Sequence, residues 1–112
     1  MLMSKSLNAD LLLPLLTHPR SLIGTNSASL PPSKRGAELK LERTFSTFSR
    51  YLEIVLGQGI PIESAIKKIT SFPAEIFGIK NRGAIKEGFI ADIVLLKGSE
   101  VSNVIINGKS RF

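Results

Sequence analysis

The sequence predicts a mixed α and β chain in which helices come first and a run of short strands follows. Three observations carry this prediction. Apolar residues recur at helical spacing from Arg43 to Leu56 and again from Ile62 to Phe72. Glycines at 57, 59 and 78 and prolines at 61 and 73 divide that region into separate helices. Beyond it, apolar runs rich in β-branched residues end in Asn107-Gly108, the strongest short hairpin signal.

Before the individual elements, composition narrows the classes. The chain has 112 residues, enough for one small domain, and at 43% hydrophobic it is too apolar to be disordered. It has no cysteine, which excludes disulfides, thiolate nucleophiles and cysteine-ligated metal sites. Its one histidine, His18, leaves a metal centre little besides carboxylates to draw on. The net charge is +6, but the basic residues are scattered, with Lys34-Arg35 and Lys67-Lys68 the only adjacent pairs. No basic stripe interleaved with aromatics is present, so a solvated surface is favoured over nucleic-acid binding. Leu11 to Leu16 is broken by Pro14 and is far shorter than the roughly 20 residues of a membrane span. With Asp10 abutting it, the run also does not read as a signal peptide, and a soluble, cytoplasmic chain is expected.

In chain order, Asn8 is placed to cap a short helix with Asp10 in its first turn, limited by Pro14 and ended by His18-Pro19. Ser21 to Gly24 reads as a brief buried strand, left through a Thr25-Asn26-Ser27 turn. Ala28 to Lys40, rich in Ser, Pro, Lys and Gly, is a surface loop. In the helix from Arg43 to Leu56, Phe45, Phe48, Leu52 and Val55 form the core stripe. Pro61 opens the next helix, whose face is Ile62, Ile66, Ile69 and Phe72. Pro73 stops it and opens a second short helix, Ala74 to Phe77, closed by Gly78. Turns at Asn81-Arg82-Gly83 and Lys86-Glu87-Gly88 flank a very short Ala84-Ile85 strand. Ile90 to Leu96 is a strand apolar on both faces, as one covered on both sides should be. Val104 to Ile106 and Lys109 to Phe112 form the closing hairpin.

Ile69-Thr70-Ser71-Phe72-Pro73-Ala74 with Phe77-Gly78-Ile79, then Arg82-Gly83-Ala84-Ile85 through Glu87-Gly88 and Ala91-Asp92-Ile93-Val94, then Val104 to Lys109, stand in a telling order. That order resembles the C-terminal end of the amidohydrolase superfamily, most of all its N-acyl-D-amino-acid deacylase (D-aminoacylase) branch. The resemblance implies the last strand-and-helix unit of a TIM-like barrel over residues 1–72. Residues 73–112 would then be a short helix and strands of the small β-domain that flanks such barrels. It also implies a zinc-dependent hydrolase of non-peptide carbon–nitrogen bonds, of which this chain resembles the last third or so.

Two positions depart from the family pattern. Asn26 stands where the resemblance places an aspartate that serves as metal ligand and general base. An amide neither accepts that proton at neutral pH nor ligates a metal as a carboxylate does. Leu41-Glu42-Arg43 stands where His-Pro-Arg is expected, so a histidine is lost while Arg43 remains to meet a substrate carboxylate. The family's His-x-His pair has no counterpart in the sequence. The expectation is a degenerate amidohydrolase end with no metal site and no activity of its own. One alternative is a part of a split or associating enzyme, through self-association or a chain that supplies the rest of the barrel. Another is a non-catalytic basic binding or regulatory module.

Overall fold

The computed structural model describes residues 9–25 and 42–111, and every structural statement below concerns these. They form four helices and then three strands. The helices are α1 (Ala9–Thr17), α2 (Glu42–Gly57), α3 (Ile62–Lys67) and α4 (Ser71–Ile76). The strands β1 (Ile93–Lys97), β2 (Glu100–Ile106) and β3 (Lys109–Ser110) make one antiparallel sheet in the order β1-β2-β3.

The core gathers on α2. Tyr51, Leu52 and Val55 are buried with Ala65 of α3, and Leu16, Ile23, Ile66, Ile69 and Leu96 pack around them. Leu52 and Val55 therefore stand where the stripe placed them. Phe48, at 44% exposure, does not join the core, and Tyr51 takes its share of the packing. Phe48 lies on the right side of α2, but the packed cluster sits one turn further along the axis. On α3 the predicted isoleucine face also shifts: Ile62 is exposed and Ala65 is buried. The small side chain lets α3 approach α2 closely enough for the Tyr51 hydroxyl to donate to the Ala65 carbonyl at 3.0 Å.

Two prolines lie inside helices, although α1 still ends at Thr17, directly before His18-Pro19, as expected. Pro14 lies inside α1, which continues to Thr17 despite the missing N–H. At the end of α1, Thr17 Oγ1 donates to the Leu13 carbonyl (2.8 Å) and Ser21 Oγ to the Leu15 carbonyl (2.6 Å), satisfying groups a helix C-terminus otherwise leaves open. Pro73 lies inside α4 rather than before it. The break falls at Thr70, whose φ of −130° and ψ of −89° leave the helical region and whose hydroxyl donates to the Ile66 carbonyl at 2.7 Å. In the first turn of α4 a proline's missing N–H has no helical partner to lose, so the residue is tolerated there.

Three predicted strands change. Ser21–Gly24 is irregular and joins no sheet, and its Ser21 carbonyl is taken by a lysine side chain described below. Ala84-Ile85 is likewise not a strand, and Ile85 is 89% exposed. The strand expected from Ile90 begins at Ile93, and it is not covered on both sides: Val94 is 53% and Leu95 47% exposed. The hairpin at Asn107-Gly108 forms as expected, with φ of 52° and 74°, the pair of positive values a type I′ turn requires. A second tight turn at Gly98-Ser99, not read in the sequence, joins β1 to β2.

Candidate functional site

Among the described residues, polar side chains concentrate in two places. One joins the end of α1 to the end of α3. The Lys68 ammonium donates to the Ser21 carbonyl (2.9 Å), to Ser21 Oγ (3.0 Å) and to the His18 carbonyl. Its three N–H groups thus have three acceptors from a segment nearly fifty residues upstream, in place of sheet pairing. Partial burial holds this amine below the usual lysine pKa. Lys68 thereby fixes the backbone at His18 and Ser21.

Beside Lys68 lies an open cleft of about 440 Å³, lined by Leu16, Tyr51, Ile60, Lys67 and Phe72 among others. It is mainly apolar, and its innermost polar groups are committed. The Tyr51 hydroxyl faces the Ala65 carbonyl, Thr17 faces Leu13, and Lys68 is saturated. Burial pushes the Tyr51 phenol above its ordinary pKa, so it stays neutral well past neutral pH. The cleft therefore offers shape and an apolar wall, with the Ser64 hydroxyl and the Lys67 amine also on its lining.

The second concentration is a knot among turns. Asp92 accepts from the Arg82 guanidinium through one carboxylate oxygen and from the Asn107 N–H (3.0 Å) through the other. Alongside, the Gly108 N–H reaches the Ala91 carbonyl and the Ile90 N–H the Asn81 carbonyl, each at 2.9 Å. Asp92 thus joins the turn at 81–83 to the hairpin turn at 107–108. Gly83 presses this knot against α4: a Cβ there would lie 2.8 Å from the Ala74 Cβ and 2.9 Å from the Thr70 carbonyl, at a φ of +84°. The run from Arg82-Gly83 through Ala91-Asp92 to Asn107-Gly108 is accordingly a fastening.

Of the residues singled out in the sequence, Asn26 and Leu41 lie outside the described residues. Arg43 lies on α2, and its side chain is likewise outside what the structure describes. Arg50 is ion-paired with Glu53 at 2.9 Å on the exposed face of α2. His18 is exposed, and its Nδ1 accepts from the Arg20 N–H at 3.1 Å. No group of three or more His, Cys, Asp or Glu side chains capable of holding a metal occurs among the described residues. With Asp92 held by Arg82 and the Asn107 N–H, the described side chains do not fit a zinc centre. No described helix is long and apolar enough to cross a membrane. Lys68 is the functional-looking residue that sequence reasoning missed. A lysine between Ile66 and Ile69 is the only local signal, and its partners are remote in the chain.

Comparison with known proteins gives this arrangement its context. The amidohydrolase family matches residues 15–111, from within α1 to beyond β3. A 5-methylthioadenosine/S-adenosylhomocysteine deaminase of Halothermothrix orenii is 26% identical over 109 residues, covering 78% of this chain and 25% of that protein. An N-acyl-D-aspartate deacylase of Alcaligenes xylosoxydans xylosoxydans is 25% identical over 91 residues, 80% of this chain and 17% of its own length. A dihydroorotase of Endomicrobium trichonymphae is 43% identical over 44 residues, 39% of this chain and 10% of that one. No solved structure matches. The chain thus spans a quarter or less of the curated relatives' length, and the family match over residues 15–111 holds both the Lys68 anchor and the Asp92 knot. On the extent of that family match, the chain belongs to the amidohydrolase family.

Proposed function

We propose that this chain is the scaffold-bearing C-terminal portion of a metal-dependent amidohydrolase of the N-acyl-D-amino-acid deacylase type, and that it does not turn over substrate by itself. In this reading residues 1–72 derive from the last strand-and-helix unit of a TIM-like barrel and residues 73–112 from the small β-domain beside it. The family's reaction is hydrolysis of a non-peptide carbon–nitrogen bond, and it needs an activated water and a base to take its proton.

One observation carries the reading. The polar residues that look most like a family signature hold one another: Asp92 accepts from Arg82 and from the Asn107 N–H, and so fastens turns. The sequence adds Asn26 at the position the resemblance gives to a proton-accepting aspartate. In this proposal the metal ligands and the base come from another segment, on the same or a different polypeptide. The deacylase among the relatives supports the substrate class, with Arg43 as the residue proposed to meet a substrate carboxylate.

The test is direct. The purified chain, incubated with zinc and a panel of N-acyl-D-amino acids, is expected to release no free amino acid above the uncatalysed rate. Zinc-dependent release that a chelator abolishes and that Asn26→Ala removes would overturn the proposal.

A further inference from the structure

The closing hairpin turn combines a reactive dipeptide with a restraint on it. Asn107 is the only asparagine followed by glycine, since Asn8, Asn26, Asn81 and Asn103 precede Ala9, Ser27, Arg82 and Val104. A glycine leaves its own backbone nitrogen unobstructed, so that nitrogen can reach the Cγ of the asparagine before it. A β-branched follower such as Val104 crowds the same approach. Asn107 is also exposed, so water and hydroxide reach it.

The fold restrains the nitrogen that would react. Asn107 and Gly108 both have positive φ, 52° and 74°, which fixes the turn in the left-handed region. Both N–H groups of the turn are committed. That of Asn107 donates to Asp92 Oδ1 at 3.0 Å, and that of Gly108 to the Ala91 carbonyl at 2.9 Å. For attack, the Gly108 nitrogen must lose its proton and swing onto the neighbouring side chain. The bond to Ala91 opposes both. Residues 91 and 92 are held in turn by the pairing of Asp92 with Arg82, so the restraint is as firm as the knot.

We propose that Asn107 is a site of spontaneous deamidation, gated by opening of the Asp92 knot. In the open state hydroxide takes the Gly108 amide proton and the nitrogen attacks the Asn107 Cγ. The N–Cγ bond forms and the Cγ–Nδ2 bond breaks. Nδ2 leaves as ammonia with a proton from water, which regenerates the hydroxide and leaves a cyclic succinimide. Water then opens the ring at either carbonyl, giving aspartate or isoaspartate at this position, with no oxidant or reductant involved. Both products put a carboxylate on the residue whose N–H Asp92 holds, and the like charges repel. Isoaspartate also routes the main chain through Cβ, which lengthens it and takes the Gly108 N–H out of register with the Ala91 carbonyl. Each modification therefore loosens, irreversibly, the knot that had delayed it.

Incubation of the intact chain at mildly alkaline pH, with trypsin digestion of samples drawn over weeks, tests the proposal. The fragment Gly98 to Lys109 carries both Asn103 and Asn107, and fragment-ion masses assign the amide-to-acid mass gain to one or the other. The gain is expected at Asn107 well ahead of Asn103. It should be at least about tenfold slower in the folded chain than in the same chain held unfolded in guanidinium. Asp92→Ala should bring the folded rate most of the way to the unfolded one while leaving the unfolded rate unchanged. Arg82→Gln keeps the acceptor for the Asn107 N–H, so it should give a smaller rise and serves if Asp92→Ala does not fold. Lys68→Met, which releases a remote tie, should leave the rate unchanged and so separates the knot from general opening. Equal rates in the folded and unfolded chain, or modification of Asn103 as fast as Asn107, would overturn the proposal. So would an unchanged rate in both knot variants, or a rise in Lys68→Met that matches theirs. None of those outcomes bears on the absence of turnover proposed above, which the hydrolysis assay reads independently.

Discussion

Gly83 shows how much of a family signature is backbone geometry. At a φ of +84°, with the Ala74 Cβ and the Thr70 carbonyl oxygen under 3 Å from where a Cβ would sit, no other residue fits without displacing Thr70 or Ala74. Gly83→Ala combines left-handed strain with overpacking against backbone. It should lower the unfolding free energy by about 2–4 kcal/mol, read as a shift in denaturant midpoint at unchanged slope. An alanine at the exposed and unobstructed Gly57 provides the control. At this scale the sequence was informative about turns. The Asn107-Gly108 turn was legible because its dihedrals demand those residues. Lys68 was not legible, since nothing near it in sequence announces carbonyls that come from residues 18 and 21.

Among the elements, the helices were read well and their boundaries less so. The α2 stripe survives in Leu52 and Val55 because period and burial agree there, and it fails at Phe48 because periodicity says nothing about position along the axis. Pro73 misplaced one boundary, since first-turn placement absorbs what a proline removes, whereas α1 runs through Pro14 and ends before His18-Pro19 as expected. The two-faced apolar strand was found but its covering was not: burial on both faces depends on neighbours that no local pattern specifies. The tie between α1 and α3 makes its own prediction. Lys68→Met removes all three bonds to His18 and Ser21 and should cost about 1–2 kcal/mol. Tryptic cleavage after the exposed Arg20 should then accelerate roughly tenfold, as expected when local opening gains about 1.4 kcal/mol. Lys68→Arg, which keeps donors at the same place, should restore most of the protection.

For the whole molecule, one phenol makes stability sensitive to alkaline pH. Tyr51 is the only tyrosine, is buried in the main cluster and has its pKa raised by desolvation. The unfolded chain ionises this group near its ordinary value of about 10, whereas the folded chain holds it neutral to higher pH. Its contribution is therefore fully present below about pH 10 and is lost as pH climbs from there through the folded value. Thermal unfolding midpoints should fall across that window in the native sequence and fall less in Tyr51→Phe. That variant should also lose about 1 kcal/mol at neutral pH with the bond to Ala65. Phenolate absorbance reports the same event without interference, because the chain has no tryptophan.

The Lys68 anchor also bears on how freely the length of this chain can drift. It closes a loop of 47 residues between Ser21 and Lys68 that contains α2 and residues 26–41. The entropy of closing such a loop grows only with the logarithm of its length, and even doubling it costs about 0.6 kcal/mol. Insertions or deletions of several residues between 26 and 41 would thus alter the tie by a small fraction of one hydrogen bond. Inheritance can rewrite that span, including the position where the resemblance places an aspartate, while the frame on either side stays fastened.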